Sequence, residues 1–551
     1  MNNIVKSIFL CGILSVSLYS CTDLEEVLVD GIGSSAADGG GDGGSSESVV
    51  TLTSAYDALR TGTANHGGYF SIQSVSTDEM AVTQKGGDWY DGGLWLRFQR
   101  HQYGKTEGPF NDTWKAQYTG IGICNELLAG TLTPAATAQV KTLRAFFYSR
   151  LVDLFGNVKI ITVKGQDEPQ STRAEVFAFI ESELLAAIGV PSITEPLSLD
   201  ASNLPATSSS YEVNQFGALG LLAKLYLNAE VYTGTPKYDE ARIVADYIIS
   251  NSPYILADDS NYTVDNTGKR DEFSASSDII TDGLDQDAET LSGYAALFAP
   301  NNGNNPEMIW SINYDETTGT GMNFAQMTLH YGSQLTWSFA DQPWNGYTAL
   351  SDFYNMYDDS DDRKKYNFVQ GPQYDAEGYK LLDYASDVFD ENTGERLLQV
   401  DYRPYVAELE PNSPRFAGVR LGKFSFKMGQ RAEMDNDYPI VRLGEIYLIR
   451  AEAEARAAGD WSLALSDVNT LRARANAEAL TSIDEASFLD ERGKEMFQEA
   501  TRRQDLIRFD LYNNGTWWEK ETLGSDDLKL FPIPLDQVTA SDGSLTQNPG
   551  Y

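Results

Sequence analysis

Asn214–Val231 (NQFGALGLLAKLYLNAEV), the turn Thr233-Gly234-Thr235-Pro236 and then Tyr238–Ile249 (YDEARIVADYII) decide how this 551-residue chain is read. Leu219, Leu222, Ala223 and Tyr226 fall at i, i+3, i+4 and i+7, the spacing of one helical face. Gly and Pro in the turn end that helix and allow a second one to return beside it. The spacing predicts a helix over Asn214–Val231 and another over Tyr238–Ile249, joined too closely to be anything but neighbours in space.

The same pattern recurs on both sides. Val140, Leu143, Phe147, Leu151 and Leu154 form one stripe that ends at Gly156. Thr172 is placed to cap a helix carrying Val176, Phe177, Ile180, Leu184 and Ile188. Downstream, Leu443, Ile446, Tyr447 and Ala451 begin a helix broken at Gly459-Asp460, and its partner runs from Trp461 to about Ala475. Tyr56–Leu59 and Phe110–Leu128 supply an earlier pair. Four helix–turn–helix units of about 34 residues, with small residues between large ones, have the layout of tetratricopeptide-like repeats. The expected fold is therefore mostly α, with helical repeats over about 50–256 and 440–510. Two long stretches interrupt them, about Gly67–Gly108 and Ala257–Tyr438, rich in Gly, Asn, Asp and aromatics. They read as loops with short strands such as Met308–Ile312, and loops on a rigid scaffold are where binding residues tend to sit.

Composition narrows the function. Lys+Arg 41 against Asp+Glu 80 gives a formal charge of −39. Removing Met1–Ser20 takes away only Lys6, leaving −40. A chain so acidic cannot displace counterions from a nucleic-acid backbone, so no nucleic-acid partner is expected. With Cys11 and Cys21 at the leader, Cys124 is the one cysteine of the body, which excludes a disulfide framework, a Cys-rich zinc site and an iron–sulfur centre. His66, His101 and His330 have no metal-ligand spacing. Lys6 followed by an apolar run of about ten residues and Leu18-Tyr19-Ser20-Cys21 reads as a lipoprotein signal over residues 1–20, with Cys21 as the lipidated residue. Residues 21–48 then form the lipidated N-terminus and a flexible Gly/Ser/Asp tether, whose Asp30–Ser48 stretch spans roughly 24 Å, and the body occupies 49–551.

Other segments carry a family likeness. They include Trp114-Lys-Ala-Gln-Tyr118 through Asn125, Arg144-Ala-Phe-Phe-Tyr148 and Leu151-Val-Asp-Leu-Phe-Gly156. Asn305-Pro-Glu-Met-Ile-Trp310, Pro439-Ile-Val-Arg-Leu-Gly-Glu-Ile-Tyr447 and Val468-Asn-Thr-Leu-Arg-Ala-Arg474 follow in order. After Glu491-Arg492, Glu495, Glu499, Arg502 and Asp505-Leu506, the chain closes with Phe531-Pro-Ile-Pro534 and Gln547-Asn-Pro-Gly-Tyr551. In these segments, and in their order, the chain resembles the SusD/RagB family of nutrient-uptake surface lipoproteins. Ala500 departs from it, where a Gly is common. The resemblance implies a SusD-like fold with four tetratricopeptide-like pairs and long insertions, and a non-catalytic role. It also implies a SusC-like TonB-dependent transporter as partner, an oligosaccharide or polysaccharide as ligand, and lipid anchoring at the outer-membrane surface. A peptide or other nutrient binder, and a structural transporter lid without a ligand site of its own, stay open beside it; a surface glycosidase is disfavoured.

The candidate ligand residues come from two aromatic loops. In the first, glycines flank Asp88, Trp89, Tyr90, Trp95 and Arg97; in the second stand Trp337, Gln342, Trp344, Asn345 and Tyr347. Sugars stack C–H faces on rings while their hydroxyls seek amides and carboxylates, so exposed rings beside such groups suit them. Trp89, Tyr90 and Trp95 are expected to converge with Trp337, Trp344 and Tyr347. Asp358-Asp359-Ser360-Asp361-Asp362 could bind Ca²⁺ but lacks the Gly and distal Glu of a calcium loop and reads as solvated; no cofactor is expected and no residue is assigned as a metal ligand. The charged segment Glu491–Arg508 reads as one structural helix with surface ion pairs.

Overall fold

The computed structural model describes residues 50–265 and 290–551, apart from 301, 304 and 391. The leader, Cys21 and the tether lie outside the described residues.

The helical scaffold is built in chain order from α1 (Gly108–Ala129), α2 (Pro134–Leu154), α3 (Arg173–Ile188), α4 (Gln215–Leu227) and α5 (Tyr238–Asn251). It resumes far downstream with α6 (Leu443–Ala458), α7 (Leu465–Arg474), α8 (Glu485–Met496) and α9 (Arg502–Arg508). The expected pairs form: α2 packs on α3, α4 on α5, and α6 on α7, while Leu52–Asp57 lies against α1. Helix α5 also packs on α6, so the two halves of the scaffold are continuous although about 190 residues separate them in sequence. Local chemistry sets the helix ends. Thr172 and Glu175 cap α3 reciprocally, Asn214 Oδ1 accepts from the amides of Phe216 and Gly217 at 2.9 Å each, and Gly459 closes α6 in the left-handed conformation.

Two expectations of continuous helices fail. The Asn214–Val231 helix breaks at Asn228, whose side-chain amide donates to the Lys224 carbonyl at 3.0 Å and competes with the backbone ladder. The Glu491–Arg508 helix is two helices separated by Phe497–Thr501, in which Gln498 and Ala500 are left-handed. Its charges do not lie on the surface either. Glu495 is fully buried; Arg442 Nη1 and Arg363 Nη1 reach its carboxylate at 2.8 and 3.4 Å, and Arg474 reaches it too. Arg442 also donates to Glu499 (2.8 and 2.7 Å) and Glu307 (3.0 Å), Arg474 to Glu307 (2.6 Å) and Lys423 to Glu499 (2.5 Å). Asp361, expected as part of a solvated loop, is buried and holds Arg363 at 2.8 Å. This buried network binds the second insertion to α6, α7 and α8.

Small antiparallel ribbons organise the insertions. Strand β1 (Met80–Val82) pairs with β3 (Tyr347–Ala349), and β2 (Met308–Ile312) pairs with β4 (Tyr438–Arg442). The β2–β4 ribbon crosses α4 at Gly220, where an added methyl would overlap Val441. One apolar core runs through scaffold and insertions alike, so the insertions are part of the body and not a separate unit. No helix among the described residues is long and apolar enough to cross a membrane.

Candidate functional site

The β1–β3 pair brings the two aromatic loops together. Residues 86–93 leave β1 in a tight coil with positive φ at Gly86, Trp89, Asp91, Gly92 and Gly93, before the short helix Leu94–Gln99. A tryptophan at φ 59° is strained backbone, and strain of this kind gathers where geometry serves a site. The facing loop, Pro343–Tyr347, is pinned from behind: the amides of Trp344, Asn345 and Gly346 donate to the carbonyls of Gln326, Leu329 and Met327 at 2.7–2.9 Å. The Trp89 indole donates to the Trp344 carbonyl at 2.6 Å, and a methyl on Gly346 would overlap the Trp89 ring. Gly346 is thus the gap into which Trp89 seats.

Four of the six expected rings meet. Trp89, Trp95, Trp344 and Tyr347 surround His66 at centroid distances of 5.2, 5.2, 5.9 and 5.9 Å. His66 Nδ1 lies 3.1 Å from the Tyr347 hydroxyl, and burial holds its pKa below the ordinary histidine value. Trp337 is elsewhere, stacked on Phe339 at 6.2 Å and edge-on to Phe426. Burial divides the set further. Trp95, Trp337, Tyr347 and Asn345 are buried and Trp89 nearly so, which leaves Tyr90 (50 % exposed) and Trp344 (37 %) as rings with a free face. The buried rings hold the loops; the exposed ones keep a face open to solvent.

Polar groups frame these two rings. Asp88 and Asp91 are exposed; Asp88 accepts the Tyr331 hydroxyl, and Asp91 Oδ2 accepts the Trp95 indole N–H at 3.0 Å. Gln342 is exposed beside Trp344. Arg97 is held in a fork by Glu107, both contacts 2.7 Å, with Nη1 donating to the Gly92 carbonyl at 2.8 Å. Asn345 braces the floor, donating to the Arg415 carbonyl at 2.6 Å and accepting from Arg420 at 2.9 Å.

Sequence reading had no signal for several neighbours. The Arg415 guanidinium lies 4.5 Å over the Tyr331 ring and donates to Asp383 Oδ2 at 2.6 Å, which also lies 3.1 Å from His330 Nε2. Despite burial, the His330, Ala385 and Arg415 hydrogen bonds hold the Asp383 carboxyl well below the usual range. Lys85 is buried beneath the loops, on Thr83 Oγ1 at 2.9 Å, and burial lowers its pKa far below that of a free amine. His66, Tyr331, Arg415 and Asp383 sit in unremarkable sequence, and only long-range pairing brings them here.

A model of the SusD family matches residues 299–551. The starch-binding protein SusD of Bacteroides thetaiotaomicron is 26% identical over 438 residues, 75% of this chain and 72% of that protein. A laminarin-binding SusD-like protein superposes with a TM-score of 0.64 at 21% identity, covering 91% of this chain and 98% of its own. A laminarihexaose complex of surface glycan-binding protein A from Bacteroides thetaiotaomicron gives 0.63 at 19% identity, covering 90% and 98%. The solved structures give the fold, mostly helical with small two-stranded sheets. Together with the family match and the sequence relative, they lead to one conclusion: the chain has a SusD-like fold, and over residues 299–551 its sequence is similar to the SusD family.

Proposed function

We propose that the chain is a cell-surface glycan-binding lipoprotein that captures oligosaccharide or polysaccharide and hands it to a SusC-like TonB-dependent transporter in the outer membrane. The observation that carries the reading is the convergence of two insertions into one patch, where Tyr90 and Trp344 keep free faces beside Asp88, Asp91 and Gln342. Rings with adjacent hydroxyl partners, on a rigid floor, are what a sugar chain needs. Relatives described as starch-binding and laminarin-binding support the ligand class.

Calorimetric titration with the glycan that binds, and a melting curve, test the patch. Stacking on one ring is worth about 1–3 kcal/mol by analogy with base stacking. Trp344→Ala and Tyr90→Ala are each expected to weaken binding about 5- to 150-fold, at 1.4 kcal/mol per decade. The melting temperature should move little. Variants that bind normally would put the site elsewhere.

Anchoring is the second part of the reading. Cys21, after an apolar leader and before a tether that ends at Ser48, is the lipid-bearing residue, and the body swings from it over the transporter. Cys21→Ala is expected to leave the fold intact and to release the protein from membranes, read by fractionation. Association that survives a high-salt wash and deletion of the transporter would refute the anchor.

A further inference from the structure

Charge around the patch is lopsided in a way that its residue types do not reveal. Arg97 is neutralised by Glu107 at 2.7 Å, and Arg415 by Asp383 at 2.6 Å. Arg420 is buried and turned to Asn345 and to the carbonyls of Ala417 and Arg415. Lys85 is buried on Thr83 and the Gly346 carbonyl. Arg431 is exposed; its own amide donates to Glu316 and the amide of Ala432 to Asp341, so two carboxylates stand at its base. Among the described residues, the exposed acids are not neutralised in return. Asp88, Asp91 and Asp341 accept hydrogen bonds from a phenol, an indole and a backbone amide, all neutral donors. A ligand at Tyr90 and Trp344 therefore meets acceptors of unspent negative charge and, Arg431 apart, cations already claimed, on a chain of net charge −39.

Hydroxyl groups satisfy such carboxylates, because each O–H donates to an ionised acceptor and brings no charge of its own. A carboxylate or sulfate on the sugar finds Arg97 and Arg415 already balanced by Glu107 and Asp383 and is repelled by the acids already there. We infer that the site selects an uncharged glycan and discriminates against uronate-rich or sulfated polysaccharides. This rests on the carbohydrate reading above and narrows it to a substrate class.

The test is a binding panel on the full-length protein in detergent, at 20 and 300 mM NaCl. Neutral probes are starch, laminarin, galactomannan and arabinoxylan; anionic probes are alginate, polygalacturonate and carrageenan. The best neutral binder is also compared as its carboxymethyl derivative, with the hydroxyethyl derivative as a size control. Expected is a neutral glycan whose affinity changes less than twofold with salt. Its carboxymethyl form should bind at least tenfold more weakly than the hydroxyethyl form at 20 mM, recovering in part at 300 mM as repulsion is screened. Glu107→Gln, which frees Arg97, should shrink that gap at least threefold. An anionic polysaccharide that binds best, with affinity falling as salt rises, overturns the inference but leaves a glycan binder; so does a carboxymethyl gap that ignores both salt and Glu107→Gln. Silence across the whole panel sinks the carbohydrate reading itself.

Discussion

Replacing Glu495 by Ala is expected to destabilise the body by about 3–5 kcal/mol, the range for removing one partner from a buried charge cluster. Burial alone would raise the Glu495 pKa, but Arg474, Arg442, Arg363 and Lys423 overcome it and hold the carboxyl well below its ordinary value of 4.5. Without that carboxylate, Arg442, Arg474 and Arg363 stay buried with too little negative charge between them. Denaturant unfolding followed by circular dichroism measures the loss. An exposed pair such as Arg242–Glu195 serves as the control and should cost no more than about 1 kcal/mol. The pH dependence has a definite sign. A depressed carboxyl contributes stability above its unfolded pKa and loses it as pH falls through the folded one. The difference between the parent and Glu495→Ala should therefore be full above about pH 5.5 and shrink below pH 4.5. A variant within about 1 kcal/mol of the parent at neutral pH would mean that the cluster carries no net weight.

Trp95→Ala is the second large effect, with a signature opposite to that of Trp344→Ala. Trp95 is 1 % exposed, packed against His66, Phe98 and Tyr347, so truncation leaves a cavity costing about 3–5 kcal/mol. It also removes the indole that holds Asp91. Melting should fall sharply, and glycan affinity should weaken even where the variant is still folded, because the Asp91 loop loses its brace. Unchanged melting would show that this ring is not the support it is described as here. The pair of variants separates a ring that holds the site from one that touches the ligand.

What could be read from sequence follows from range. The helix pairs were legible because their signals are local: a 3.6-residue stripe, Thr172 as a cap, Gly459 as a stop. The meeting of the two aromatic loops was legible from composition alone, since glycines and rings in both suited one ligand chemistry. Which rings keep a free face was not. Trp89 and Tyr90 are neighbours in sequence, yet one seats over Gly346 and the other is half exposed, a difference set by the left-handed turn at Trp89. The charges of α8 misled for the same reason. Glu491, Glu495 and Glu499 repeat at four-residue steps as a solvated face does, and only Arg363, Arg442 and Arg474, from three distant segments, turn that face into an interior. His66 and Asp383 carried no signal, because each acquires its role from partners more than 20 residues away.

The β1–β3 pair also bears on the birth of the protein. Met80 faces Ala349 and Val82 faces Tyr347, so one contact closes a loop of more than 260 residues. Closing so long a loop is entropically dear, and contacts of such separation form late. The helix pairs can assemble as the chain emerges; the patch cannot exist before residue 349 has been made and its floor, fixed by Arg415 and Arg420, has followed. The patch is thus completed only after α1–α5 have been made and can already have paired. A prematurely terminated product would carry α1–α5 and yet lack the patch altogether.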